Sequence, residues 1–460
     1  MDLERLVAAL GPVDVLEPAP TDVRDLAYDA RSVEPGSLFF CVPGERFDGH
    51  DFAAEAVDRG AVALVVERPL PLPVPQLVVE DARASMAVAA DEFFEHPTDE
   101  LLVAGVTGTS GKTTTSFLLF AILAAAGRRP GLLGTVEARV GGERRGVTRT
   151  TPEAIDLQRL FREMLDVGDR SVAMEASSHA SELHRLDRVR FSALVFTNLS
   201  QDHLDFHGDM ESYFQAKRRL FLECSPPAAV NVGDEYGRRL ATELPHVLTF
   251  GFAADAEVGP DALRGIDLKL RGRFNVENAL GAVAASRLLG LEEDAIARGI
   301  ESVRGVPGRF ESVDEGQPFT VIVDYAHKPG ALENVLRAAR ELTGGGARVI
   351  CVVGAGGDRD RGKRPLMGRL ASELADIAIV TSDNPRSEDP GAIIDEIVAG
   401  ASGEVEVEPD RAAAIARAIE LARNGDVVLI AGKGAEQGQE LADGTIPFDD
   451  REVAREALRA

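Results

Sequence analysis

Short apolar runs alternate with amphipathic stretches along most of the chain. Residues 101–104, 171–175 and 191–198 read as strands separated by a glycine loop and helical stretches, the βα logic of a mainly parallel sheet. Residues 319–324, 348–354, 376–381 and 426–431 repeat the alternation, which predicts a second, doubly wound α/β unit of about 150 residues. Ahead of both lie shorter strand-like and helical pieces, with a proline-rich connector at 69–75 and a helix over 83–95. His96-Pro97 stops any helix, because proline disfavours the α conformation in the residue before it. The expectation is an α/β protein of three domains, 1–97, 98–310 and 311–460.

Composition narrows the class. With 50 basic and 76 acidic residues among 460, the formal net charge is −26, a field that repels nucleic acid and anionic lipid. Aromatics are 5% and Trp is absent, so the cores must rest on Ala, Leu and Val. Cys41, Cys224 and Cys351 are too few and scattered for a disulfide framework or a thiolate metal cage, and are expected as buried free thiols. The start, MDLERLVAAL, carries acids where a signal peptide carries bases, and no apolar run approaches the ~18 residues of a membrane span. The expectation is a cytoplasmic, monomeric protein without membrane insertion.

The chemistry begins at Gly105-Val-Thr-Gly-Thr-Ser-Gly-Lys-Thr113, between a strand and a helix that continues to about residue 126. Glycines there let successive N–H groups face a phosphate. Gly108, Thr109, Ser110, Gly111, Lys112, Thr113 and Thr114 are therefore expected to bind ATP, Lys112 as a point charge and Thr113 as a Mg²⁺ ligand. The strict phosphate-loop pattern fails at one place, where Val106 replaces its first glycine. Glu175 and His203 each follow a strand end and are donor types suited to Mg²⁺. Lys217, in Tyr213-Phe-Gln-Ala-Lys217, reads by pattern alone as a solvated helix-face residue.

Further segments occur in a fixed order: Asp202-His-Leu-Asp-Phe-His-Gly208, Phe274-Asn-Val-Glu-Asn-Ala-Leu280, Val306-Pro-Gly-Arg-Phe-Glu311, Asp324-Tyr-Ala-His-Lys-Pro329, Gly356-Gly-Asp-Arg-Asp-Arg-Gly-Lys363 and Ser382-Asp-Asn-Pro-Arg386. Together they closely resemble the Mur ligases of peptidoglycan synthesis, and within them the MurE-type branch. The likeness spans essentially the whole chain, and 29–39 with Asp48-Gly-His50 resembles that family's uridine-nucleotide domain. The resemblance implies a small α/β domain for UDP, a central P-loop ATPase-like domain and a C-terminal Rossmann-like domain for the incoming amino acid.

It also implies roles. Asn275 and Asn278 resemble adenine contacts; Arg309 and Asp324 resemble ribose and phosphate contacts. Arg31, Ser32, Thr150, Thr151, Ser177 and Arg185 resemble contacts to UDP-N-acetylmuramoyl-L-Ala-D-Glu. Lys112, Glu175, His203 and Lys217 are implied as the catalytic set, with Lys217 carbamylated by CO₂ so that it joins Thr113, Glu175 and His203 around two Mg²⁺ ions. Asp383, Asn384, Pro385 and Arg386 form a turn whose guanidinium suits a carboxylate; in the family that turn accompanies meso-diaminopimelate. Arg359 resembles a second carboxylate contact, and Asp383, Gly432 and Glu436 resemble the rest of that amino-acid site. Ala435 and Ala30 depart from the family pattern, each losing a polar side chain. Arg359, Arg361, Lys363 and Arg364 are the expected local correction of the negative field, with a solvated basic loop as the alternative. A lysine-adding or folylpolyglutamate-type ligase, or a non-catalytic nucleotide-binding scaffold, are the rival readings.

Overall fold

The computed structural model of the protein describes residues 1–44, 47–223, 225–343 and 346–460. Cys224 lies outside the described residues. The chain forms two compact units, one of Met1–Thr107, Gly127–Leu194 and Ala216–Ala228, the other of Gly108–Ala126, Val195–Gln215 and Ala229–Ala460.

The first unit opens with a five-stranded sheet in the order Asp14–Leu16, Gln76–Val78, Ala63–Val66, Ser37–Phe40, Asp25–Ala27. All neighbours are parallel except the first pair. Ser37–Phe40 and Ala63–Val66 are buried at every position, because helices cover both faces. Leu38, Phe40 and Val65 pack with Leu6 and Met86 on one side, while Phe39, Cys41, Leu64 and Val66 pack with Ala53 and Ala56 on the other. Helix Ala82–Phe93 is capped by Asp81, whose side chain accepts from the N–H groups of Arg83 and Ala84, and ends three residues ahead of His96. Ala154 and Ile155, from helix Ala154–Asp166, complete the first of these cores.

A second sheet in this unit sets Ser171–Glu175 parallel between Leu102–Thr107 and Pro130–Leu133. It is extended at the far edge by the antiparallel strands Ala138–Val140 and Glu143–Arg145. Glu175 thus stands at the carboxyl end of a buried strand, in register with Val106.

In the second unit, helix Lys112–Ala125 packs against helices Arg273–Leu288 and Glu293–Ser302. A six-stranded sheet runs Glu311–Val313, Thr320–Asp324, Val427–Ala431, Val349–Val353, Ile377–Val380, Glu406–Val407, parallel except for the first pair. Helices Pro329–Leu342, Lys363–Leu374 and Pro390–Val398 cover one face; Arg411–Leu421 and Asp450–Arg459 cover the other. Strand Val427–Ala431 inserts between Thr320–Asp324 and Val349–Val353, so the loops after these strands and after Ile377–Val380 open near one switch point. The expected strands are all present: Ser171–Glu175 has the expected bounds, Leu102–Thr107 runs further than expected toward the glycine loop, and the others are shorter by one or two residues where the chain turns. Cys41 and Cys351 are buried free thiols, each pushed up to about 12 by burial.

One charge pair lies wholly inside this second unit. Arg411 donates through Nε and Nη2 to the two carboxylate oxygens of Asp450, both at 2.7 Å, and neither side chain is exposed. Removing the anion leaves a buried guanidinium uncompensated, at a cost of about 3–5 kcal/mol. Asp450→Ala should therefore lower the urea midpoint substantially; an unchanged midpoint would contradict the pair's role in joining the two last helices.

Candidate active site

The phosphate loop is built from glycines that nothing else could replace. Gly108 has φ +142° and Gly111 φ +88°; a Cβ on the first would lie 1.9 Å from Thr197 Oγ1 and on the second 2.2 Å from Asn278 Oδ1. Val106, the departure from the strict pattern, is a buried residue of strand Leu102–Thr107, where extended backbone needs no glycine. Segment 197–200 braces the loop. Ser110 N donates to Asn198 Oδ1 at 2.9 Å, Thr197 Oγ1 donates to Ser110 O at 2.7 Å, and Thr109 N donates to Asn198 O at 2.8 Å. Lys112 Nζ lies 2.9 Å from Gly108 O and 3.0 Å from Thr109 O, folded over the turn it would share with a phosphate. Helix Lys112–Ala125 has no side-chain cap on its first N–H groups, which suits an anion.

Beside this loop, in the same unit, stand the residues expected for the nucleoside. Asn278 Nδ2 donates to Asn275 Oδ1 at 3.1 Å and Asn275 Nδ2 to Arg271 O at 2.8 Å, so the two amides are set as a pair. Arg309 Nη2 donates to Thr113 Oγ1 at 3.1 Å while its guanidinium lies 4.2 Å from the Tyr325 ring centroid. Gly308, φ +63°, lets that segment approach residues 434–435, for a Cβ there would sit 2.0 Å from Ala435 N. Asp324 accepts from the N–H groups of Phe310 and Ala326 at 2.6 and 2.7 Å. Burial raises its carboxyl to about 6, against the opposing pull of Arg309 and both backbone donors. His203 Nε2 is 2.8 Å from Asp202, and burial holds the imidazole below its ordinary range, so it is neutral and can offer a lone pair to a metal. Asp202 is paired in turn with Lys328, which holds its carboxyl well below the usual range. Asp202, Tyr325 and Lys328 lie inside the segments quoted above but carry no expected role, and Asn198 carries none either; their contacts with Ser110, His203 and Arg309, and that of Lys328 with Asp202, bring them to this group.

The first unit brings Thr150, Thr151, Ser177, Arg185 and Glu175 together. Glu175 accepts from Thr135 N at 2.8 Å and Thr135 Oγ1 at 3.1 Å, and Thr135 Oγ1 lies 3.1 Å from Thr150 Oγ1. Thr151 Oγ1 donates to Glu175 O at 2.8 Å and lies 3.3 Å from Ser177 Oγ. Arg185 donates to Thr151 O at 3.2 Å and pairs with Glu153 at 2.8 Å. Arg31 and Ser32 are not part of this group: Arg31 is exposed and paired with Asp29, and Ser32 donates to Asp29 O. Ala30 is buried in the same turn.

Two charge expectations are corrected. Lys217 is not a solvated helix-face residue; only 1% of it is exposed. Arg364 is no surface cation either: it is fully buried and paired with Glu388 and Glu396, the second of which also holds Arg361. Surplus positive charge stands elsewhere, where Arg83, Arg149 and Arg185 share the single carboxylate of Glu153. Taken by residue type, the hydroxyl of Thr113 and the neutral imidazole of His203 in the second unit, and the carboxylate of Glu175 in the first, are donors suited to Mg²⁺, whereas an ammonium at Lys217 is not. Among the described residues no three His, Cys, Asp or Glu side chains cluster as a metal cage, and this donor set contains only two of those types.

At the switch point, turn 383–386 follows strand Ile377–Val380. Asp383 is buried, and its Oδ2 has no hydrogen-bond donor among the described residues; the nearest cation is Arg411, 4.0 Å away. Asn384 donates to Glu436 at 2.9 Å, and Lys433, fully buried, donates to Asn384 Oδ1 at 2.7 Å and Glu436 at 3.0 Å. Gly432 has φ +130°, with Asp383 Oδ2 only 2.3 Å from where a Cβ would be. Pro385 O lies 1.9 Å from where a Cβ on Gly357 would be, so the turn packs closely on the loop carrying Arg359. Arg359 itself is exposed and donates to Asp358 O at 3.0 Å.

Three family descriptions match the chain in sequence. Residues 22–100 match the Mur ligase family catalytic domain, 106–286 the Mur ligase middle domain, and 308–434 the Mur ligase glutamate ligase domain. The chain is a Mur ligase. Curated relatives named UDP-N-acetylmuramoyl-L-alanyl-D-glutamate–2,6-diaminopimelate ligase include one from Solibacter usitatus, 47% identical over 96% of this chain and 95% of its own length. Another, from Geobacillus thermodenitrificans, is 45% identical over 100% of this chain and 99% of its own. A solved structure of a ligase with that name superposes on this Mur ligase with a TM-score of 0.66 at 31% identity, over 96% of this chain and 95% of that one. The ADP complex of a MurF ligase from Thermotoga maritima shares the fold, with a TM-score of 0.60 at 20% identity.

Two measurements test the nucleotide side. Gly111→Ala adds about 1–2 kcal/mol of left-handed strain and collides with Asn278, so ADP affinity measured by calorimetry should fall at least about tenfold. Asp324 loses its charge below about pH 6, so the KM for ATP should rise on acidification through that value and Asp324→Asn should flatten the profile. A flat wild-type profile would exclude that contact.

Proposed function

We propose that this Mur ligase joins meso-2,6-diaminopimelate to UDP-N-acetylmuramoyl-L-alanyl-D-glutamate at the expense of ATP, in the cytoplasm and as a monomer, within peptidoglycan synthesis. The carrying observation is the pairing on one four-residue turn of a buried carboxylate oxygen lacking a donor, Asp383 Oδ2, with a guanidinium, Arg386. The distal end of diaminopimelate offers an ammonium to the first and a carboxylate to the second. Lysine offers only the ammonium, which Arg386 would repel. The names of the relatives support the same substrate pair. Among the described residues no helix is long and apolar enough to cross a membrane.

In the proposed reaction the D-Glu γ-carboxylate oxygen attacks the γ-phosphorus of ATP, forming an acyl phosphate as ADP leaves. The amine of the incoming amino acid then attacks the acyl carbon, loses a proton, and phosphate departs. Phosphorylation is what makes a carboxylate electrophilic at neutral pH. Lys112 and the uncapped helix start hold the phosphates and oppose the charge that develops on the transferred group. Asn275, Asn278, Arg309 and Asp324 orient the nucleoside, while Thr150, Thr151, Ser177 and Arg185 hold the acceptor dipeptide. Magnesium held by Thr113, Glu175, His203 and a carbamate on Lys217 would supply further charge neutralisation. Burial of Lys217 is consistent with a place inside the site and not on a solvated helix face.

Phosphate release assayed with the UDP-muramoyl dipeptide and each amine decides the substrate. Release with diaminopimelate and little with lysine is expected; the reverse selects a lysine-adding enzyme, and silence with every amine selects a scaffold. Lys217→Ala should be nearly inactive and partly restored by short carboxylates. Full activity in that variant refutes the carbamate.

A further inference from the structure

Strand Gly438–Leu441 forms a hairpin with Gly444–Pro447, and its first arm runs along turn 383–386. It holds that turn at four points. Gln439 Nε2 donates to Asp383 O at 2.7 Å, Glu440 N donates to Asn384 Oδ1 at 3.0 Å, Arg386 N donates to Glu440 O at 3.0 Å, and Arg386 Nε donates to Glu440 Oε2 at 2.6 Å. Arg386 has φ +54°, a left-handed conformation that a residue with a Cβ keeps only when its surroundings impose it. These contacts impose it.

The same contacts fix the plane of the guanidinium. Its Nε is engaged by Glu440, and Nη1 donates to Gly357 O at 2.8 Å. A guanidinium carries five N–H donors in a rigid fork, so Nη2 and one hydrogen of Nη1, the outer edge, stay oriented for a carboxylate. Glu440 grips the inner side of the fork and does not occupy that edge.

We infer that Glu440 is a positioning residue for the distal carboxylate of the incoming amino acid, acting through Arg386; this rests on the reading of Arg386 given above. Without the grip at Nε, a long side chain on a strained residue samples other rotamers, and substrate binding must bear the cost of ordering it. The contribution is to recognition of one substrate and not to phosphoryl transfer.

Steady-state kinetics of Glu440→Ala and Glu440→Gln test this against wild type. Glu440→Ala should raise the KM for diaminopimelate about tenfold, with kcat and the KM values for ATP and UDP-muramoyl dipeptide within about twofold. Glu440→Gln keeps an acceptor oxygen for Nε and should recover most of the loss. A merely structural role would move all three KM values and kcat together, which overturns the inference. So does an unchanged or lowered KM for diaminopimelate in Glu440→Ala, the latter meaning that Glu440 competes with the substrate for Arg386. Failure of the wild type to use diaminopimelate appears before any variant is compared, and removes the substrate reading itself.

Discussion

The backbone of Ser110 is gripped from both sides: its N–H donates to Asn198, and its carbonyl accepts from Thr197 and from the Asn198 amide. A phosphate loop needs a curled backbone with N–H groups turned outward, and a curled backbone is strained unless something holds it. Here segment 197–198 does so, at a range so short that position 108 excludes any side chain. The helix start, Lys112 and Thr113 all take their directions from that clasp. The residues expected to hold the nucleotide, further along the chain, are then built onto it: Asn278 lies against Gly111, and Arg309 reaches Thr113.

Much of this was legible in sequence because the signals were backbone signals. Glycines beside an apolar run, a proline after Asn384 and a buried run of branched residues each dictate geometry locally, so the strands, the phosphate loop and turn 383–386 lie where pattern puts them. What pattern could not give were contacts made at long sequence separation. Lys217 reads as solvated because its neighbours include charges, yet tertiary packing buries it. Arg364 sits in a basic stretch, but Glu388 and Glu396, more than twenty positions away, cancel it. Glu440 carries no motif at all; only the hairpin's approach to Arg386 gives it meaning.

Those cancellations change how the chain handles its own charge. A net of −26 should oppose anionic substrates, and the basic stretch 359–364 relieves it less than its composition suggests, because its guanidiniums at 361 and 364 are already paired. Relief is concentrated instead where three arginines surround Glu153, next to Thr150 and Thr151. Positive charge in one partly exposed cluster is screened beyond about a Debye length, so it attracts over a short range only. The protein can thus remain broadly acidic, and repel other polyanions, while still admitting a nucleotide that fits.

The sharing of Ala154 and Ile155 with the core beneath the five-stranded sheet also says something about how the chain can be cut or moved. Tyr28 fastens the same helix through its hydroxyl, 2.6 Å from Asp156. Severing the polypeptide near residue 100 would therefore strip apolar surface from both fragments and leave each unable to close its interior. The sheet that begins the chain and the threonines just ahead of that helix behave mechanically as a single body, so any swing of one carries the other with it.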